Sequence, residues 1–300
     1  MALNLSRCFA RLTSIGSLPG RVSNSAVRTT SLCMHRANLS TETPSFVNII
    51  KENGYSVVEM NRKPVNSISL EMFTELANVI DGLEADPACQ GMILTSALPK
   101  IFSAGLDITE FMKGDEGRLK QFWESFQNIW LKLYDSRLAT VAAVNGAAPA
   151  GGCLLAISCD YRIMAEGATI GPNETQLGIV APNWFKDTLV NTVGHRQSEH
   201  LLCLGKMLSS ADAGDIGLVD HVVEKSNLMA EAKDEIQKWL AISGEARSAT
   251  KLGLRGPTLK KLLDARQKDT KSFMDFTRKD STQKMLAFYM KKLAEKSKSN

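Results

Sequence analysis

Glu174 is set apart from the other 31 acidic side chains by its surroundings. In IGPNETQLGI, residues 170–179, it is the single charged group and lies between Gly171 and Gly178. An isolated glutamate in such a setting usually caps a helix N-terminus or stays solvated. Held partly out of water, it would instead have a raised pKa and could exchange protons near neutral pH. A base of that kind needs a place for the negative charge it creates, and two other stretches offer one. In IFSAGLDITEF (residues 101–111) and NGAAPAGGC (residues 145–153), small residues leave the backbone bare, so a ligand could approach the amide N–H groups closely. The second stretch runs into an uncharged segment that reads as a helix from Gly151, and a helix N-terminus carries free N–H groups and a positive dipole end. The same glycines could equally serve close helix-to-strand packing.

Alternating strands and helices must position these three stretches. Val47–Ile50 and Ser56–Met60 read as strands around Asn53-Gly54, a favoured hairpin signal. Ser69 can cap a helix carrying Leu70, Phe73, Leu76, Ile80 and Leu83 at three- and four-residue steps, which ends before Pro87. Gly91–Thr95 is a buried strand. After it comes the first bulk-free turn, and then an amphipathic helix through Leu119, Phe122, Phe126, Ile129 and Leu133. Ala139–Val144 is a second short apolar run suited to a strand buried on both faces, followed by the second bulk-free turn. Tyr161–Met164 reads as a strand, the chain from Trp184 as mostly helical with a short strand near 218–223, and residues 227–300 as charged helices.

Several function classes drop out. Residues 1–41 hold five arginines and no lysine or acid, the composition of a mitochondrial transit peptide. Setting those five aside from the 36 basic residues leaves 31 against 32 acidic ones, so the body is nearly neutral and carries no charge signature of nucleic-acid binding. Arg7 and Arg11 interrupt any secretory apolar core, and the final Lys-Ser-Asn is not a peroxisomal Ser-Lys-Leu. The uncharged run from Leu138 is broken by Asn145, Pro149 and three glycines, which argues against a membrane span. Six cysteines without CxxC spacing and four histidines without HExxH give no disulfide framework and no metal site.

Taken in order, FSAGLDI, NGAAPAGGC with CDYRI, and IGPNETQLG resemble the crotonase (enoyl-CoA hydratase/isomerase) superfamily from about Val47 to His221. NRKPVNSIS is similar to its early Asn-x-Pro segment. The resemblance implies an α/β fold, a spiral of repeated strand-strand-helix turns in residues 45–225. It implies a C-terminal helical region, residues 226–300, that builds a homotrimer. It implies that the N–H groups of Leu106 and Gly151 hold a thioester oxygen, with Ala104, Gly105, Asp107, Ile108 and Asn173 beside the substrate and Glu174 as catalytic base. Hydratases of the superfamily use two glutamates, and the first falls here on Leu154. One carboxylate fits the isomerases better than addition of water: a cis- or trans-3-enoyl-CoA would become trans-2-enoyl-CoA in β-oxidation, with no metal or redox cofactor, in the mitochondrial matrix. The implied partner is acyl-CoA, with neither nucleic acid nor stable membrane insertion. Rival expectations are a hydratase, an acyl-CoA thioesterase, or a non-catalytic acyl-CoA- or RNA-binding member. Lys63 could meet CoA or be a solvated surface lysine.

Overall fold

The computed structural model describes residues 45–298 apart from Lys113; the expected transit peptide lies outside them. The chain opens with strands β1 (Val47–Lys51) and β2 (Tyr55–Met60), paired antiparallel across the Asn53-Gly54 turn. Short strand β3 (Ser67–Ile68) precedes helix α1 (Leu70–Ala85), whose N-cap Ser69 accepts a hydrogen bond from the Met72 N–H. This caps one of the N–H groups that a helix leaves unpaired.

The same unit then repeats. Strand β4 (Gly91–Ser96), short β5 (Gly105–Leu106) and α2 (Glu116–Tyr134) form one turn. Strand β6 (Ala139–Val144), short β7 (Ala148–Pro149) and α3 (Gly151–Ser158) form the next. The last comprises β8 (Tyr161–Ala165), β9 (Thr169–Gly171) and α4 (Asn183–Leu204). Strand β10 (Leu208–Ser209), α5 (Ser210–Asp215), β11 (His221–Val223) and three helices, α6 (Leu228–Leu240), α7 (Gly244–Thr277) and α8 (Asp280–Lys298), complete the described residues. The expected strand near 218–223 is confined to its last three residues, and the short strands β3, β5, β7, β9 and β10 have no counterpart in the sequence reading.

The long strands build one six-stranded sheet, β1-β2-β4-β6-β8-β11, parallel except for the first pair. The short strands form a second layer, β3 with β5 and β7-β9-β10. Each turn therefore leaves the main sheet, visits the second layer and returns through a helix. The inner strands β4 and β6 are buried along their whole length because both faces are covered, whereas the edge strand β1 is exposed over most of its length. Val58, Leu94, Ala142 and Val144 join the large core with α1, α2 and α3, while Val57, Ile93, Val141 and Ile163 pack on Leu228, Ala232 and Ile236 of α6.

Helix α7 is tied back to the sheet by charge. Asp160, just before β8, is almost fully buried and meets Lys251 Nζ at 2.6 Å and Arg255 Nη2 at 3.0 Å, and it also accepts the Thr140 N–H at 3.0 Å. Burial pulls the Lys251 pKa down and the Asp160 charge opposes that shift. Removing one partner of such a pair strands the other charge in the interior, at a cost of about 3–5 kcal/mol. We expect Asp160→Ala to lose stability of that order in urea unfolding. The double variant Asp160→Ala/Lys251→Met should recover a large part of it.

Candidate active site

The second layer brings the two bulk-free turns together. An ideal Cβ built on Gly105 would sit 3.0 Å from Gly151 N and 3.1 Å from Pro149 O, and one on Gly151 would sit 3.3 Å from Leu106 N. The backbones of β5 and of the β7–α3 junction thus touch without side chains between them. Gly105 also has φ +83°, a conformation costly for residues with a Cβ. Gly152 serves packing instead: a Cβ there would lie 2.5 Å from Ser103 O. The packing alternative thus describes Gly152, while Gly105 and Gly151 leave two stretches of backbone close together.

The orientation of the N–H groups follows from their neighbours. Asp107 N–H donates to Ile68 O across to β3 at 3.0 Å, so strand alternation turns the Leu106 N–H to the opposite side, toward Gly151. Gly151 is the first residue of α3, where N–H groups have no acceptor within the helix. Ala150, before it, is held at φ 48°, ψ −119°, unusual for alanine, with its N–H on Gly171 O at 2.9 Å. Two backbone donors therefore face one spot, backed by the positive end of a helix dipole.

The first loop fixes this arrangement through Asn66, a fully buried residue. Its Nδ2 donates to Met60 O (3.1 Å), Ser96 Oγ (2.7 Å) and Phe102 O (3.1 Å), and its Oδ1 accepts the Arg62 N–H at 2.7 Å. Ser103 Oγ donates to Asn66 O and accepts the Gly105 N–H. Arg62 Nη2 meets Asp107 Oδ2 at 3.0 Å, and Asp107 Oδ1 caps the following turn at the Thr109 N–H. The NRKPVNSIS segment is in this way the brace of the Leu106 loop.

Glu174 opens a 3-10 turn, Glu174–Leu177, and does not act as a side-chain cap. The residue keeps partial exposure, but its Oε2 is enclosed and has no hydrogen-bond partner among the described residues. Burial pushes its pKa up to about 7, against a smaller lowering by its own backbone N–H. Leu154, one turn into α3, is buried and apolar, so it contributes no second carboxylate. Cys153 beside it is a buried free thiol whose pKa burial raises further, with the Glu174 charge adding to the effect. It is inert as a nucleophile.

A single cavity of ≈ 930 Å3 collects these groups. Ala104, Leu106, Asp107, Ile108, Gly151, Asn173 and Glu174 all line it, whereas Gly105 lies behind its surface. The opposite wall was not foreseen from sequence. Trp123 and Phe126 come from α2, Trp184 from α4 and Phe273 from α7, with Tyr289 and Met290 from α8. In the sequence Phe126 reads only as part of an amphipathic helix's apolar stripe and Trp184 as the start of a helical stretch, while Trp123, Phe273, Tyr289 and Met290 carry no signal of their own. Lys186, Lys261 and Lys268 also border the cavity, Lys261 paired with Asp187 at 2.9 Å. Lys63 is exposed and is not among the lining residues. Chemically, an enclosed base with a pKa near neutrality shares an apolar chamber with a pair of convergent backbone donors. That constellation suits proton abstraction beside a carbonyl.

The comparisons with known proteins point the same way. Residues 51–300 match the family model for enoyl-CoA hydratase/isomerase. The chain is 46% identical to the mitochondrial enoyl-CoA delta isomerase 1 of Mus musculus over 245 residues, covering 81% of this chain and 85% of that one. It is also 46% identical to the Homo sapiens protein of that name, covering 81% of each. The crystal structure of human mitochondrial delta3-delta2-enoyl-CoA isomerase superposes with a TM-score of 0.83 at 44% identity, covering 84% of this chain and 99% of that chain. An enoyl-CoA hydratase from Bacillus halodurans, 23% identical with a TM-score of 0.75, shares the fold. With its spiral of strand-strand-helix turns and its match over five sixths of the sequence, this chain belongs to the enoyl-CoA hydratase/isomerase (crotonase) family.

Proposed function

We propose that the protein is a delta3-delta2-enoyl-CoA isomerase in which one glutamate moves the proton. The carrying observation is that Glu174 Oε2 is enclosed without a polar partner in the cavity that the Leu106 and Gly151 N–H groups face, and that Leu154 leaves it without a second carboxylate. The names of its relatives support the same substrate class.

In this mechanism the thioester oxygen of a 3-enoyl-CoA accepts hydrogen bonds from Leu106 and Gly151. Glu174 takes a proton from C2; the C2–H electron pair spreads over the dienolate and places charge on the thioester oxygen. The protonated Glu174 then returns the proton to C4, the double bond comes to rest between C2 and C3, and the carboxylate is regenerated. Atoms and charge balance with no other reactant. The two backbone donors strengthen as the oxygen becomes negative, and one such donor is typically worth about 2.7–4 kcal/mol of barrier. Ala104, Asp107, Ile108 and Asn173 shape the walls around the reacting carbons, Gly105 supports them from behind, and Lys186, Lys261 and Lys268 are suited to the CoA phosphates.

The wider assignment follows from the family resemblance. Residues 1–41 act as a mitochondrial address, in keeping with the relatives named mitochondrial, and the enzyme works in the matrix. Residues 45–225 form the catalytic core. Residues 226–300 assemble a homotrimer, which the exposed Leu252, Leu254 and Leu263 on α7 favour, besides lining the cavity.

The direct test is ultraviolet absorbance on mixing with 3-hexenoyl-CoA. Conjugation without gain of water in the product is expected; hydration, thioester cleavage, or binding without reaction would each overturn the proposal. We further expect Glu174→Gln to lose at least about 10²–10⁴-fold in kcat while acyl-CoA affinity stays within about tenfold. The same variant carries a stability signature. A carboxyl whose native pKa is raised to about 7 favours the folded state fully only below its ordinary value, and that favour is lost as pH rises through 7. Glu174→Gln should therefore be more stable than the parent at pH 8, with the difference shrinking toward pH 4.5. Finally, kcat/KM should rise with pH and level off above about 7, because only the ionised glutamate can take the proton. A flat profile between pH 5.5 and 8.5 would assign the base elsewhere.

A further inference from the structure

Among the described carboxylates that line the cavity, Asp269 is the one that accepts hydrogen bonds from indole N–H groups. It projects from α7, and its Oδ2 accepts Trp123 Nε1 at 2.7 Å, Gln127 Nε2 at 2.8 Å and Trp184 Nε1 at 3.4 Å. Trp123 and Gln127 stand on α2 and Trp184 on α4, so a single oxygen joins three helices that are far apart in sequence. Gln127 is fully buried and held at its other end as well, since Arg266 Nε donates to its Oε1 at 3.0 Å. One turn beyond Asp269 on α7, Phe273 stacks on Trp123 with ring centroids 3.7 Å apart and an interplanar angle of 7°. Trp184 stands edge-on to Trp123 and to Phe126.

The clasped rings are the apolar wall of the cavity. An acyl chain that starts at the thioester beside Leu106 and Gly151 has this wall to lie against, and its permitted length depends on where the rings stand. Indole rings could slide along an apolar surface at little cost, whereas an N–H bound to a part-buried carboxylate oxygen is fixed in distance and direction. The acyl wall is thus located by a polar contact behind it rather than by packing alone.

We propose that Asp269 is a positioning residue that sets the acyl-chain length the enzyme accepts, by pinning Trp123 and Trp184; this rests on the acyl-CoA reading above. It does not touch the reacting carbons and does not move a proton. Releasing it lets the aromatic wall retreat between α2, α4 and α7, so longer chains gain relative to short ones.

The test is calorimetric binding of saturated hexanoyl-, decanoyl- and tetradecanoyl-CoA, which needs no turnover. Isomerisation of 3-hexenoyl- and 3-dodecenoyl-CoA is measured in parallel. In Asp269→Ala, and in Trp123→Phe, which keeps the ring stack but removes the N–H, the ratio of tetradecanoyl to hexanoyl affinity should rise at least fivefold. Asp269→Asn retains an acceptor oxygen and should keep the parent ratio within about twofold. A brace that served stability alone would lower the unfolding midpoint and leave the ratio unchanged. If Asp269→Ala does not fold, the Trp123→Phe ratio decides. A ratio within twofold of the parent in folded Asp269→Ala or Trp123→Phe overturns the proposal. Parent protein that binds all three thioesters but isomerises neither substrate would instead overturn the isomerase reading and leave the chain-length clasp to be judged by binding.

Discussion

Two stretches of main chain that touch with no side chain between them are the constraint on which this molecule depends. The presentation of the Leu106 and Gly151 N–H groups to one oxygen, as proposed, requires β5 and the β7–α3 junction to approach as closely as they do at Gly105 and Gly151. Nothing in a single strand or helix enforces that approach. It is imposed by the second layer, where β3 holds β5 and β9 holds β7, and by the buried Asn66, whose amide links the first loop to Met60, Ser96 and Phe102. Local strain follows from the same requirement. Ala150 adopts a backbone conformation that costs of order 1–3 kcal/mol and persists because its neighbours over-determine it.

The second organising cost is an enclosed charge. At neutral pH Glu174 is poised between forms because burial penalises its anion and no arginine or lysine offsets the penalty. A carboxyl so placed suits the role proposed for it, since the proton it would take must also be given back. The contrast with another buried carboxylate, Asp160, is instructive. Asp160 has Lys251 and Arg255 against it and ties α7 to the sheet, whereas the Oε2 of Glu174 has no hydrogen-bond partner among the described residues. Environment, not residue type, divides the two roles.

Helices α7 and α8 complete the site as well as the fold. The two bulk-free turns come from the spiral, but much of the surface that would receive an acyl chain comes from residues more than a hundred positions later in the sequence, brought in by the Asp160 and Asp269 contacts of α7. An active site divided in this way lets wall and chemistry vary independently.

The sequence by itself determined the order and kind of the long elements. Short apolar runs such as Ala139–Val144, too short for a helix of ordinary length, read as strands covered on both faces, and the three- and four-residue spacing on α1 and α2 reads as helical. It also singled out Glu174 and the two bulk-free turns, because charge and side-chain size are local properties. Five short strands escaped, since segments of two or three residues take their conformation from a partner strand rather than from their own pattern. For the same reason the sequence could not choose between a solvated, capping or desolvated Glu174, nor distinguish Gly152, which packs, from Gly105 and Gly151, which let two backbones meet. Those choices were decided by tertiary structure alone: burial, close approach and hydrogen-bond satisfaction are relations between segments that no stretch of chain carries within itself.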